Sequence, residues 1–282
     1  MSAFLNQVAA CDHRLLWIDD SEYSANLLAA GAAPWLDTSA YVAWRRKAQS
    51  LLNSSVAALP VARVCDALLA RDGRMRAAMG AKSRAGYPLK TLLSSEALRR
   101  QIAELLVGLR SSFPALSLAL VCPSPRSWVT EAHRLAFGNG TTVVVGEEEV
   151  DSATMHCADF LREFAGTGID TVLLEESPES EPGDASELEW YRSVLNVGTH
   201  YRWDMGLRMP GPGHLAGAIA DIAYLIATRV ESGVCCGELI PAQFWSGTPF
   251  EGSPRADFRF VQIPPHIQPE VVLDRLASLR SP

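Results

Sequence analysis

The chain has 282 residues, 48% apolar and 20% charged, an ordinary globular composition large enough for one sizeable core. Its formal net charge of -7 argues against a nucleic-acid partner. No apolar run reaches the roughly 18 residues of a membrane span, so no membrane partner is expected.

Leu15-Leu-Trp-Ile18, closed by Asp19-Asp20, predicts a first strand. Ser39 to Leu52 is helical in period, with Tyr41, Trp44, Ala48 and Leu51-Leu52 on one face. Pro60 precedes a second apolar helix, Val61 to Ala70, and Arg71 to Gly86 is basic and punctuated by glycine. Ser94 or Ser95 caps a long helix through Leu109, with Glu96 in its first turn.

Leu116 to Cys122 is an apolar strand bounded by Pro123-Ser-Pro125, and Trp128 to Phe137 a short helix stopped by Gly138. Thr141 to Val145 reads as a β-branched strand, and Asp151 as the N-cap of a helix reaching Phe164. Thr171 to Leu174 is a strand ending in Glu175-Glu176, followed by an acidic loop to Glu189. Ser193 to His200 reads as the next strand, with Tyr201, Arg202, Trp203 and Asp204 behind it. His214 to Val230 reads as helix, and Ala216 to Val230 within it as a buried one. Glu238 to Phe244 and Phe258 to Ile263 read as strands, and Glu270 to Leu279 as a last helix.

Strands alternating with helices over the second half argue for parallel βα units. Residues 1–282 are read as a single barrel-like domain, with a helix-rich, irregular portion at 1–112 and regular βα units at 113–282. A (β/α)8 barrel of about 250 residues nearly uses the whole length.

In such barrels the carboxyl ends of the strands carry the chemistry. Glu175 and Glu176 could bind a substrate amine, hold a metal or act as a base, or could simply open an acidic loop. His200 suits proton transfer, Tyr201 can donate a proton, Arg202 can clamp a carboxylate, and Asp204 completes the cluster. Ser124 and Arg126 sit beside the positive start of a helix, a reasonable anion site. Asp19 ends the first strand and joins the same set.

The six cysteines include no CxxC pair, and with no secretory signal this reads as a cytoplasmic protein with reduced thiols. Zinc needs about four ligands; His200, Cys235 and Cys236 are the candidates, without a standard spacing. No GxGxxG, GxxxxGK[ST], GxSxG or HExxH motif occurs. No cofactor is expected from the residues themselves.

Over roughly residues 116–204 the chain resembles the superfamily of uroporphyrinogen decarboxylase and cobalamin-independent methionine synthase. Ala158 to Glu176 is similar to its helix–Gly–strand unit ending in acids, and Val121 to Val129 to its earlier strand, proline turn and helix. Thr199-His200 resembles the strand end carrying a zinc histidine in the methyltransferase branch. The resemblance implies a TIM barrel. It departs where that branch places a cysteine two residues after the histidine, because Arg202 stands there.

The expectation is an enzyme on a small or medium acidic substrate, by metal-independent decarboxylation or lyase chemistry, or by C1 transfer. Arg126 and Arg202 would bind acid groups, and Glu176, His200 or Tyr201 would move protons. Asp19, Arg126, Glu176 and His200 should then share one barrel mouth. An inactive binding protein of the same fold and a zinc methyltransferase with rearranged ligands stay open, as does a homodimer.

Overall fold

The computed structural model describes residues 3–11, 13–178, 185–209, 221–229 and 233–280. Eight parallel strands form one sheet in the order β1-β8-β7-β6-β5-β4-β3-β2. They are β1 (Leu15–Asp19), β2 (Val56–Pro60), β3 (Ser117–Pro123), β4 (Thr171–Glu175), β5 (Asp204–Arg208), β6 (Tyr224–Ala227), β7 (Cys235–Leu239) and β8 (Phe258–Gln262). Helices fill the connections: α1 (Ala3–Ala10), α2 (Ser21–Ala29), α3 (Thr38–Leu52), α4 (Val61–Arg71), α5 (Gly73–Met79), α6 (Tyr87–Leu93) and α7 (Glu96–Ser112) precede β3. After it come α8 (Pro125–Phe137), α9 (Glu147–Arg162), α10 (Arg192–Tyr201) and α11 (Pro269–Arg280). The chain is a TIM-barrel-like α/β fold.

The register carries the stagger that a closed barrel requires. Following paired residues from Leu15 leads through Phe258, Gly237, Ile226, Arg208 and Glu175 to Pro123, from the first residue of β1 to the last of β3. The β1–β2 seam is closed by serines. Ile18 N donates to Ser54 Oγ (3.1 Å), Leu16 N to Ser55 Oγ (3.0 Å), and Ser55 N to the Leu16 carbonyl (2.9 Å). Hydroxyls thus satisfy strand donors where the ladder stops.

Side chains alternate along each strand. Trp17, Val121, Leu173, Ile226 and Phe260 fill the barrel, while Leu118, Leu120, Val172 and Leu174 pack beneath the helices. Large rings need small neighbours: a Cβ on Gly206 or Gly237 would run into the rings of Tyr224 and Phe258. The amino-terminal end is plugged by α1. Phe4 is fully buried, with ring centroids 4.8 Å from Tyr224, 5.4 Å from Phe258 and 5.7 Å from Trp17.

Several sequence expectations need correction. Residues 1–112 hold β1 and β2, so the helix-rich portion also supplies two barrel strands. Thr141–Val145 forms no strand. Ser193–His200 is helix α10, and the strand follows it at Asp204–Arg208. Within the helix expected over 214–230 lies strand β6; residues 214–220 and 230 are outside the described ones. The strand expected at Glu238 starts earlier, at Cys235, and Ala242–Ser246 is a 3₁₀ turn. Helix α9 starts at Glu147 with Gly146 as N-cap, ahead of Asp151. Ser95 does cap α7, accepting from Leu98 N. Among the described residues no helix is long and apolar enough to cross a membrane.

Candidate functional site at the barrel mouth

Alternation fixes which residues crown the barrel. One step of two beyond Trp17, Leu173, Gly206 and Phe260, towards the carboxyl ends, stand Asp19, Glu175, Arg208 and Gln262. The register sets Asp19 beside Gln262 and Glu175 beside Arg208. Four of the eight strands, β1, β4, β5 and β8, therefore end above their apolar layers in a polar group turned towards one mouth.

Arg208 Nε donates to Glu175 Oε1 at 2.7 Å, and the guanidinium lies 5.5 Å from the centre of the Phe260 ring. Among the described residues the terminal nitrogens of Arg208 have no protein acceptor. Burial pushes the Glu175 carboxyl above its ordinary value; Arg208 opposes this, and the nearby Asp19 charge reinforces it. Burial lowers the basicity of Arg208, but the Glu175 and Asp19 charges outweigh it and hold the guanidinium firmly charged. A carboxyl with a raised pKa beside a fixed cation is suited to exchange a proton.

Two cavities flank this pair. The smaller, about 30 Å³, lies under Asp19 and Glu175 and is walled by Trp17, Val121, Leu173 and Phe260. The larger, about 490 Å³, is reached from Arg208 and Gln262 and walled by Leu239, Ile240, Pro241 and Pro265. Below the mouth, Arg45 on α3 grips Asp20 with two bonds of 2.8 and 2.9 Å, both side chains buried. This pair anchors α3 to the end of β1, next to Asp19. At the rim Glu22 is paired with Arg63.

The structure brings together Asp19 and Glu175 but separates the rest. Glu176, one residue further, turns to the helix layer and is 2% exposed. Its carboxylate accepts from Ser124 Oγ (2.6 Å), Ser127 Oγ (2.9 Å) and the Tyr191 hydroxyl. Burial raises its pKa, against the pull of these three donors. With its acceptors filled, it latches the 3₁₀ turn Ala185–Tyr191 to α8 rather than facing the mouth. Ser124 is fully buried and caps α8 through Ser127 N (3.1 Å). Arg126 is paired with Glu187 and stacked 5.0 Å from the Trp190 ring.

His200, Tyr201, Arg202 and Asp204 lie at the opposite end, because α10 runs down to the amino end of β5. His200 is exposed and stacks edge-on against Tyr201, 4.7 Å between centroids. Arg202 is the left-handed C-cap of α10. Asp204 is buried at the barrel floor, accepting from Leu5 N at 2.9 Å. The expected convergence of Asp19, Arg126, Glu176 and His200 is therefore not formed.

The zinc set implied by the resemblance does not fit. Among the described residues no three His, Cys, Asp or Glu side chains gather as metal ligands. Cys235 and Cys236 are consecutive on β7 and point to opposite faces of the sheet. Burial, reinforced by Asp257, pushes the Cys235 thiol up to about 12, whereas zinc binds thiolate.

Sequence reasoning missed Arg208, Gln262 and Arg45. Arg208 was legible as the charged residue two positions before Pro210-Gly-Pro212, had β5 been placed there. Arg45 stands four residues after Tyr41 on the apolar face of α3, which marks a buried charge in need of a partner. No protein-family model matches the chain, and no curated protein matches it either.

Proposed function

We propose that this chain is a barrel enzyme of the uroporphyrinogen decarboxylase and methionine synthase kind. It would act on a small or medium acidic substrate by metal-independent decarboxylation or related lyase chemistry. The observation that carries the reading is the Arg208–Glu175 pair at the carboxyl ends of β5 and β4, with Asp19 beside it. Arg208 receives the substrate carboxylate. Drawn to that anion, its guanidinium relaxes its hold on Glu175, and the Asp19 charge then favours a protonated Glu175.

The step balances with these groups alone. Cleavage of the bond to the leaving carboxylate releases CO2 and leaves its electron pair on carbon. Glu175 delivers a proton to that carbon and regains one from water. Arg208 stabilises the negative charge as it moves. Zinc-dependent methyl transfer finds no matching ligand set among these residues.

Release of CO2 from a panel of β-oxo and hydroxy acids tests the reading. The expected result is turnover of at least one acid, falling at least roughly a hundredfold in Glu175→Gln, within the range of a general acid. Turnover that survives this substitution contradicts the role. Binding without turnover across the panel would leave a binding protein that uses the same arginine.

A further inference from the structure

The larger mouth cavity carries an inference about what kind of acid binds. Resting on the mouth reading above, we infer that the ligand is an amphipathic monoanion, with its carboxylate on Arg208 and an apolar chain along the groove. At about 490 Å³ the groove falls in the range of sites that enclose organic ligands, and a two-carbon acid would leave most of it empty. Its apolar walls include Leu239, Ile240, Pro241, Ala242, Pro264 and Pro265. The three prolines offer no N–H, so at those positions the wall presents carbon rather than a donor.

The groove is also held in shape. Trp245 Nε1 donates to the Gln262 carbonyl at 2.9 Å, which ties the 3₁₀ turn bearing Ala242 to the end of β8. Ile240 N donates to the Phe260 carbonyl at 2.8 Å, and Ile263 N to the Asp19 carbonyl at 2.9 Å. A preformed apolar wall costs little ordering when a chain lies along it. Thr228, Gln243 and Gln262 add uncharged polar groups to the lining, and its charged residues are Arg208 and Glu22. Glu22, the acid at the rim, is already matched by Arg63. One cation in the lining beside several apolar walls suits a ligand with one charged head and an apolar body, and disfavours a diacid.

Calorimetric titration of the full chain with straight-chain acids from acetate to octanoate, and with hexylamine, tests this. Affinity should rise roughly fourfold per methylene added beyond butyrate. Hexylamine should bind at least roughly tenfold more weakly than hexanoate, since Arg208 repels it. Ala242→Trp, at an exposed wall position, should fill the groove and flatten the chain-length dependence. A flat series in the wild-type chain, tighter binding of hexylamine than hexanoate, or an unchanged series in Ala242→Trp would each overturn the inference. The proton-transfer role is judged separately. A steep series without CO2 release sinks the enzyme reading alone, and CO2 release with a flat series sinks the amphipathic ligand alone.

Discussion

The same strands end in opposite chemistry at the two ends of the barrel. At the floor, Phe4 seals the interior among Trp17, Tyr224 and Phe258, and Asp204 is bound by Leu5 N. At the mouth, the strands finish in Asp19, Glu175, Arg208 and Gln262 around open space. The floor buries its polar groups with their partners in place, whereas the mouth keeps an arginine whose terminal nitrogens have no acceptor among the described residues. A barrel that must be stable and reactive can divide these tasks between its ends. Glu175 and Glu176 repeat the division one residue apart: one faces the mouth, while the other is latched by three hydroxyls.

The largest expected effect belongs to the floor. Phe4→Ala should lower unfolding free energy by about 4 kcal/mol, read by urea denaturation, with hexanoate affinity unchanged in the protein that remains folded. Loss of affinity in step with stability would show that the ends are not separable. Glu176→Ala removes the buried acceptor shared by the hydroxyls of Ser124, Ser127 and Tyr191 and should cost about 3 kcal/mol.

Glu176→Gln gives a smaller, pH-dependent effect. The folded Glu176 carboxyl holds its proton above the ordinary 4.5. Its contribution to stability is therefore full below the unfolded pKa and is lost as pH rises through the folded one. Urea midpoints of the wild-type chain should fall more steeply over that rise than those of Glu176→Gln. Equal slopes would mean that this carboxyl is not raised. His200→Ala, at an exposed helix end, should change stability by less than about 0.5 kcal/mol and leave ligand affinity alone. A larger loss of affinity would return the floor to the functional site.

What the sequence made legible follows from local contrast. β3, β4 and β8 are apolar runs with clear breaks, and their place in the barrel follows from pattern alone. β5 was obscured because Val194, Leu195 and Val197 give α10 an apolar run that reads as a strand, while Asp204-Met-Gly-Leu-Arg208 has no β-branched residue. That displacement carried His200 and Arg202 to the wrong end and hid Arg208. β6 was absorbed into a helical reading because Tyr224 to Ala227 is too short to show a period of two. Thr141 to Val145 had strand composition but finds no partner strand, and composition cannot show this. Glu175 was found, yet its distinction from Glu176 needed the phase of the strand, which only the packed barrel fixes.

The measurement that tests the account most directly compares two arginines that could clamp a carboxylate, one at each end. Hexanoate affinity should fall at least roughly tenfold in Arg208→Gln and stay unchanged in Arg202→Gln, as expected when one charged partner of a bound anion is removed. Unchanged affinity in Arg208→Gln, or a loss in Arg202→Gln, would contradict the assignment of the site to the mouth.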